Sequence, residues 1–356
     1  MEQIGPDRPK FLHLWSSLDI SNLSIFLESP RLVDINISVS SFEGYEDTIA
    51  NKLYPFLQSF KDLRLSLQFK SPRLPPTLQS ISQLSQLTGL QEFTCGQMYP
   101  NLLAAISRLP KLGKLVISTF SAQPNDESRL SEGWLSRLEE LQIARVDALA
   151  IQMLFCSPMP TLKVLKAIMK PRHCLRELIE GAANREATLE VLMIETPGAT
   201  IQFADIRGLQ AYENLRHLEI QSEYLLLEDE DLASIIMCMP KLRGLSIPPP
   251  THRKRENGDM ETNTWLTLLS FHHILQYCHC ICQIHMEVED PDVPDIPMPA
   301  LVRHRSFRLE DFSIIVKCWR ATDARGVGEW LVERVKRFEH IQLKSLHMSD
   351  PSAWWG

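Results

Sequence analysis

The 356-residue sequence predicts an α/β fold in which about twelve strand and helix units stack in chain order along one parallel sheet. A six-residue phrase, leucine-x-x-leucine-x-leucine with other apolar residues allowed, recurs about twelve times, with start-to-start spacings of 22 to 39 residues and a mean of about 28. Segments with helical spacing of apolar residues separate the phrases. This combination is typical of leucine-rich repeats. The predicted fold is therefore a leucine-rich-repeat solenoid, a curved right-handed stack with the parallel sheet on its concave side.

Each phrase is predicted to form one strand, because its fourth and sixth residues are apolar and alternate with more polar neighbours. In the phrase from Leu138, Leu141 and Ile143 are expected to face inward and Gln142 outward. Clear phrases begin at Leu32, Leu112, Leu138, Leu189, Leu215 and Leu242, and looser ones begin at Phe60, Leu90, Leu162, Ile281, Leu309 and Leu343.

Amphipathic helices are predicted between the phrases. The segments with helical spacing are residues 101–109, 172–182, 230–239, 264–275 and 328–338. In four units a proline stands two residues before the next phrase, at Pro30, Pro110, Pro160 and Pro240. Proline cannot continue a helix and favours extended backbone in the residue before it, so each proline separates a helix from the following strand.

The repeat region is predicted to be one domain that covers residues 30–348. Residues 1–29 are expected to form an N-terminal helical cap, and residues 349–356 a disordered tail. Two stretches rich in proline and charge, 247–263 and 288–305, interrupt the period and are expected to be loop insertions.

Composition excludes several classes of function. With 44 acidic and 37 basic residues the net charge is −7, which disfavours binding to a nucleic-acid backbone. No apolar run approaches the ~18 residues of a membrane span, and the N-terminal residues lack the apolar stretch of a signal peptide. The eight cysteines are scattered, as in proteins with reduced thiols. We expect an intracellular protein of the cytoplasm, the nucleus or both, with neither nucleic acid nor a membrane as partner.

One cluster offers metal ligands. The sequence CHCIC at 278–282, with His272, His273 and His285 nearby, contains the side chains that zinc prefers. Because intervals of two residues do not fit the usual C-x2-4-C spacing, we interpret Cys278 and Cys280 as the end of a helix and Cys282 as a small strand residue.

Motifs for catalysis are not found. The sequence contains no G-x-S-x-G, phosphate-binding loop or H-E-x-x-H motif, so neither an enzymatic activity nor a cofactor or metal is predicted. The basic run HRKR at 252–255 fits either a nuclear import signal or a solvated loop.

The helix ends and strands together resemble the leucine-rich-repeat half of fungal F-box proteins. The resemblance rests on P-x-L helix ends joined to the repeated phrase, as in FCSPMPTLKVL and MCMPKLRGLSI, and covers roughly residues 30–348. In that family an F-box docks the chain onto Skp and cullin subunits of a ubiquitin ligase, and the repeats select the substrate. The only F-box-like words lie at 74–84, between phrases 30 residues apart, which leaves no room for that domain. The resemblance implies a substrate-recognition module; the alternative is a stand-alone scaffold or regulator with no ligase link.

The third, fifth and seventh residues of each phrase are predicted to project from the concave face. Their charges are mostly acidic: Asp34, Asp62, Glu92, Glu140, Glu195, Glu219, Glu287 and Asp311 against Arg64, Lys114 and Lys166. The middle units project apolar residues instead, with charged and polar residues around them, which is the layout of an interface centre. The predicted partner-binding residues are Val164, Lys166, Ile168, Val191, Met193, Glu195, His217, Glu219 and Glu140. The alternative is that the loose phrase from Leu162 is misregistered and that Val164 or Ile168 belongs to the core.

Overall fold

The structure is a computed structural model. It describes residues 11–14, 34–39, 57–58, 64–69, 82–120, 122, 135–156, 158–169, 173–183, 188–247, 266–288, 311–316, 329–330 and 345–348. The chain forms two compact units, Met1–Lys163 and Val164–Gly356. Parallel strands follow one another in chain order in both units, and helices separate several of them in the described residues, so the predicted class, an α/β leucine-rich-repeat solenoid, is confirmed.

The described part of the first unit contains six strands and two α-helices of more than one turn. The strands are β1 (Phe11–Leu14), β2 (Asp34–Val39), β3 (Arg64–Phe69), β4 (Leu90–Met98), β5 (Lys114–Phe120) and β6 (Glu140–Ala144), and the helices are α1 (Pro100–Ile106) and α2 (Ala148–Leu154). Each strand pairs in parallel with the next one in the chain.

The described part of the second unit contains seven strands, which also pair in parallel in chain order. They are β7 (Val164–Ile168), β8 (Val191–Gln202), β9 (His217–Leu226), β10 (Gly244–Ile247), β11 (Gln283–Val288), β12 (Asp311–Val316) and β13 (Ser345–Met348). The helices are α3 (His173–Ala183), α4 (Phe203–Ile206), α5 (Asp229–Ile236) and α6 (Leu268–Tyr277), and a 3-10 helix spans Arg207–Ala211.

The strands begin where the phrases predict. In ten of the twelve phrases the strand starts at the third residue, and from β7 to β12 these third residues pair with one another across neighbouring strands. At the last pair, Ser345 of β13 pairs instead with Ser313, the fifth residue of its phrase. The fourth residues of the phrases that form β7 to β11 are all buried: Leu165, Leu192, Leu218, Leu245 and Ile284. Since alternate residues of a strand point to opposite faces, this register places one apolar row in the core and leaves the third, fifth and seventh residues on the other face.

For one phrase the predicted strand begins two residues too early. The phrase from Phe60 puts Asp62 at the third position, whereas β3 starts at Arg64, which pairs with Asp34. The alternation of apolar residues continues beyond the phrase to Leu67, which is fully buried. The strand can therefore pair with β2 in either of two registers, two residues apart, that bury the same face, and the structure has the later one. Asp62 itself lies outside the described residues.

The strand β1 has no predicted counterpart. It lies among the residues expected to form a helical cap, and its Leu12 and Leu14 pair with Ile35 and Ile37 of β2. Leucines two residues apart have the strand period of the phrases, which accounts for the pairing. The other residues of 1–29, the tail 349–356 and most of both predicted insertions lie outside the described residues.

Four predicted helices correspond to α1, α3, α5 and α6, with ends shifted by a few residues. The start of α6 moves from residue 264 to Leu268, because Thr267 caps it: the hydroxyl oxygen of Thr267 accepts a hydrogen bond from the Leu269 amide at 3.0 Å. The seven-residue α2 was not predicted. The segment 328–338 is described as helical only at 329–330.

None of the described helices has the length and apolar composition needed to cross a membrane.

Candidate functional site

The candidate site is the open face of the second unit, defined as the third, fifth and seventh phrase residues of β7 to β11. On β7 the side chains of Val164 and Lys166 are half-buried and Ile168 is 41% exposed. Leu165 and Ala167 between them are buried. The loose phrase from Leu162 is therefore in register, and neither Val164 nor Ile168 belongs to the core.

The next strand, β8, brings the other apolar side chains beside these. Val191 pairs with Val164, and Met193 pairs with Lys166. Val191 and Met193 are half-buried, while Leu192 between them is 1% exposed. Parallel neighbours are ~4.8 Å apart, so the valines lie side by side and the stem of Lys166 lies next to Met193. Lys166, predicted on the rim, thus lies within the apolar cluster.

Polar residues follow on the far side of β8. His217 and Glu219 of β9 pair with Val191 and Met193, and Gln221 pairs with Glu195. All three β9 side chains are half-buried on the open face. The structure therefore brings eight of the nine predicted site residues together on three consecutive strands of one unit.

The ninth predicted residue, Glu140, lies in the first unit on β6. Its carboxylate forms an ion pair with Lys114 at 3.2 Å and accepts a hydrogen bond from the Gln142 amide at 2.6 Å. Glu140 therefore has local partners on its own strand and on the neighbouring β5.

Two carboxylates of the open face have no such partners. Glu195 and Glu219 are diagonal neighbours, because Glu219 pairs with Met193, two residues before Glu195 on β8. Within the described part of the chain, no ion pair or side-chain hydrogen bond involves either carboxylate. The site therefore combines an apolar cluster with two carboxylates that form no ion pair within the described residues.

The ring of His217 lies against Gly244 on the neighbouring strand. An added Cβ at Gly244, which pairs with His217, would overlap Nδ1 of the ring and come within 3.3 Å of Oε1 of Gln283. Burial lowers the pKa of His217, and the cationic Arg243 and Arg216 lower it further. The ring is therefore neutral at pH 7.

The strands β8 and β9 are longer than their phrases predict. Both strands continue beyond their phrases, and Thr200 pairs with Tyr224 after an irregularity that begins at Thr196. Gly198 takes a φ of +73° there, which favours glycine. The continuation adds Tyr224 and Leu226, both half-buried, beside buried Leu225. In the sequence, two features indicate this continuation: the alternation of residues around Leu225 and the Pro-Gly pair at 197–198.

Only Cys278 of the cysteine cluster has the role interpreted from the sequence, because α6 ends at Tyr277 and β11 begins at Gln283, which leaves Cys280 beyond the helix and Cys282 before the strand. Cys278 is the C-cap of α6 and is buried, which raises its pKa to about 12, with a further contribution from Cys280. Cys280 is exposed, and Cys282 precedes β11. The ring of His273 stacks on Tyr277 with centroids 5.9 Å apart. In the described residues no three His, Cys, Asp or Glu side chains are placed to hold a metal ion. The HRKR run lies outside the described residues.

No family model matches the chain, and no curated protein matches it. Among solved structures, an internalin from Listeria monocytogenes is similar, with 12% sequence identity, a TM-score of 0.35 and coverage of 72% of this chain and 74% of that chain. The fold assignment rests on the strands and their register, not on this likeness.

Proposed function

We propose that the chain is a non-enzymatic protein-binding module and that the open face of the second unit holds its protein ligand. The observation that carries the proposal is an apolar cluster on one face of the sheet: Ile168 is 41% exposed, and Val164, Val191 and Met193 are half-buried beside it. Apolar side chains grouped on an open face and surrounded by polar ones are typical of interface centres.

We further propose that this ligand is a substrate of an SCF-type ubiquitin ligase inside the cell. The support is the resemblance of the repeat phrases and P-x-L helix ends to the repeat half of F-box proteins. Such a role requires association with Skp and cullin subunits. The alternative, a stand-alone scaffold or regulator, requires a protein ligand and no ligase subunit.

The binding proposal is tested by affinity capture and mass spectrometry with three forms of the full chain. They are the unchanged protein, the double variant Val191→Asp with Met193→Asp, and the control Met237→Asp. Met237 is 52% exposed at the C-cap of α5, away from the open face. Apolar residues at an interface centre contribute about 1 to 2 kcal/mol or more each, so the double variant should lose its partners at least tenfold.

The control should capture the same partners as the unchanged protein. Equal recovery of those partners by a double variant that melts normally would contradict the proposed site. Recovery of Skp and cullin subunits with the unchanged protein supports the ligase role. Partners that depend on Val191 and Met193 without those subunits favour the scaffold.

A further inference from the structure

We propose that the protein segment bound at the open face carries a lysine or arginine next to its apolar anchor. The basic side chain lies between Glu195 and Glu219, and the apolar side chain packs on Val191 and Met193. This inference rests on the proposed function and adds the chemistry of the partner to it.

The register places the two carboxylates within reach of one cation. Met193 and Glu219 are direct neighbours across β8 and β9, and Glu195 lies two residues further along β8. Strands ~4.8 Å apart with a rise of ~3.3 Å per residue put the Cα atoms of Glu195 and Glu219 ~8 Å from each other. Both side chains project from the same face, so a cationic group above the gap between them meets both carboxylates.

The charges around this gap favour a cation from outside. Neither carboxylate has an ion-pair partner among the described residues. The neighbouring ring of His217 is neutral at pH 7, because burial and two arginines lower its pKa. Glu223 adds a further acidic residue on β9. A partner without a basic group would leave these half-buried carboxylates partly desolvated and unpaired, which costs binding free energy.

The apolar anchor must lie beside the cation. Met193 is adjacent to Glu219 across the strands and two residues from Glu195 on its own strand. Its unbranched thioether adapts to anchors of different shape. Lys166 on the opposite side of Met193 disfavours a second cation there. The expected partner motif is therefore a basic residue on one side of a large apolar residue, in an otherwise uncharged or acidic segment.

A phage-displayed library of random peptides tests this directly, with the full chain immobilised in three forms. These are the unchanged protein, the reversal variant Glu195→Lys with Glu219→Lys, and the matched control Glu180→Lys with Glu213→Lys. Glu180 on α3 and Glu213 after the 3-10 helix are both exposed and lie off the open face, so the control changes net charge equally.

The unchanged protein and the control should enrich peptides with Lys or Arg next to a large apolar residue. The reversal variant should enrich Asp or Glu at that place, and should bind the peptides selected by the unchanged protein at least tenfold more weakly in 0.15 M salt. Three outcomes would each overturn the inference. The reversal variant could select the same basic motif, the peptides selected by the unchanged protein could show no basic preference, or no peptides could be enriched.

Two further variants keep this result separate from the proposed function. Peptides that require Val191 and Met193 but show no charge preference would leave the protein-binding face intact and refute only the partner chemistry. Peptides that bind the Val191→Asp, Met193→Asp variant at full strength would refute the binding face. If the reversal variant does not fold, Glu195→Gln with Glu219→Gln removes the charges at nearly constant size and should abolish the basic preference.

Discussion

The ring of His217 on β9 occupies the space that a side chain at Gly244 on β10 would need. The two residues pair across the strands, and a Cβ at Gly244 would overlap Nδ1 of the ring. The absence of a side chain on β10 lets the imidazole lie against the neighbouring strand, where it is half-buried. Burial and the nearby Arg243 and Arg216 then keep the pKa of the ring below its ordinary value.

Replacing Gly244 by alanine should therefore move His217. The overlapping atoms belong to a side chain rather than to backbone, so the ring rotates towards solvent and the fold is retained. Greater exposure should raise the pKa of His217 towards 6.5, as measured by NMR titration of its ring protons. Gly113→Ala is the control, because an added Cβ there meets only the Gln91 carbonyl oxygen at 4.0 Å. An unchanged pKa in Gly244→Ala would show that the ring does not depend on the glycine.

The same histidine makes stability depend on pH. Its pKa is lower in the folded than in the unfolded chain, so the unfolded chain binds more protons between the two values. The free energy of unfolding should be unaffected by His217 above its ordinary pKa of 6.5 and should fall as pH decreases towards the folded value. His217→Gln should remove this part of the pH dependence.

Urea unfolding of the unchanged protein and His217→Gln at two pH values, about 7.5 and 5.5, measures the difference on either side of the ordinary histidine pKa. The variant should lose less stability on acidification than the unchanged protein. An equal loss in both would mean that other groups account for the whole pH dependence.

The strands were predictable because their signal is local. Leu141 and Ile143 alternate with Gln142 within one phrase, and the structure buries the first two. Repetition of the phrase once per unit then predicts that third residues pair. By contrast, β3 can pair with its neighbours in either of two registers that bury the same face. The sequence of a single strand contains no information on which register forms.

The details of the site depend on neighbours that are distant in the sequence. The valines at 164 and 191 and the carboxylates at 195 and 219 were predictable from the phrase frame. The contact between His217 and Gly244 was not, because it depends on the rotamer of one side chain above another strand. The continuation of β8 and β9 depends on a bulge that restores pairing after Pro197 and Gly198, outside the six-residue pattern.

A buried aspartate joins two successive helices of the second unit. Asp229, the first residue of α5, is 8% exposed and accepts hydrogen bonds from the Thr267 hydroxyl at 2.6 Å and the Ser270 amide at 3.0 Å. It also accepts from the Thr267 amide at 2.9 Å and from the Ser270 hydroxyl. Asp229→Ala leaves these donors unsatisfied and should lower the free energy of unfolding by about 3 kcal/mol in urea titrations.

The control for this prediction is Asp231→Ala on the same helix. Asp231 is half-buried, and its carboxylate accepts a hydrogen bond from the Glu228 amide at 3.1 Å. Loss of this local cap should cost about 1 kcal/mol. An Asp229→Ala variant no less stable than Asp231→Ala would contradict the role of Asp229 as a link between helices.

The last prediction separates the open face from the core with three adjacent residues of β8. Val191 and Met193 are half-buried on the open face, so Val191→Asp with Met193→Asp should change the free energy of unfolding by less than about 1 kcal/mol. Leu192 between them is 1% exposed, and Leu192→Asp places a charge in the core. That single substitution should unfold the second unit locally or wholly, as measured by thermal melting and hydrogen exchange.

The opposite signatures make the comparison decisive, because a one-residue shift in register exchanges the two faces of a strand. If the double variant melts as badly as Leu192→Asp, then Val191 and Met193 belong to the core, and the apolar cluster that carries the proposed function does not exist. If the double variant melts normally while Leu192→Asp unfolds, the register is correct. Any loss of partner binding in the double variant is then a property of the open face and not of a damaged fold.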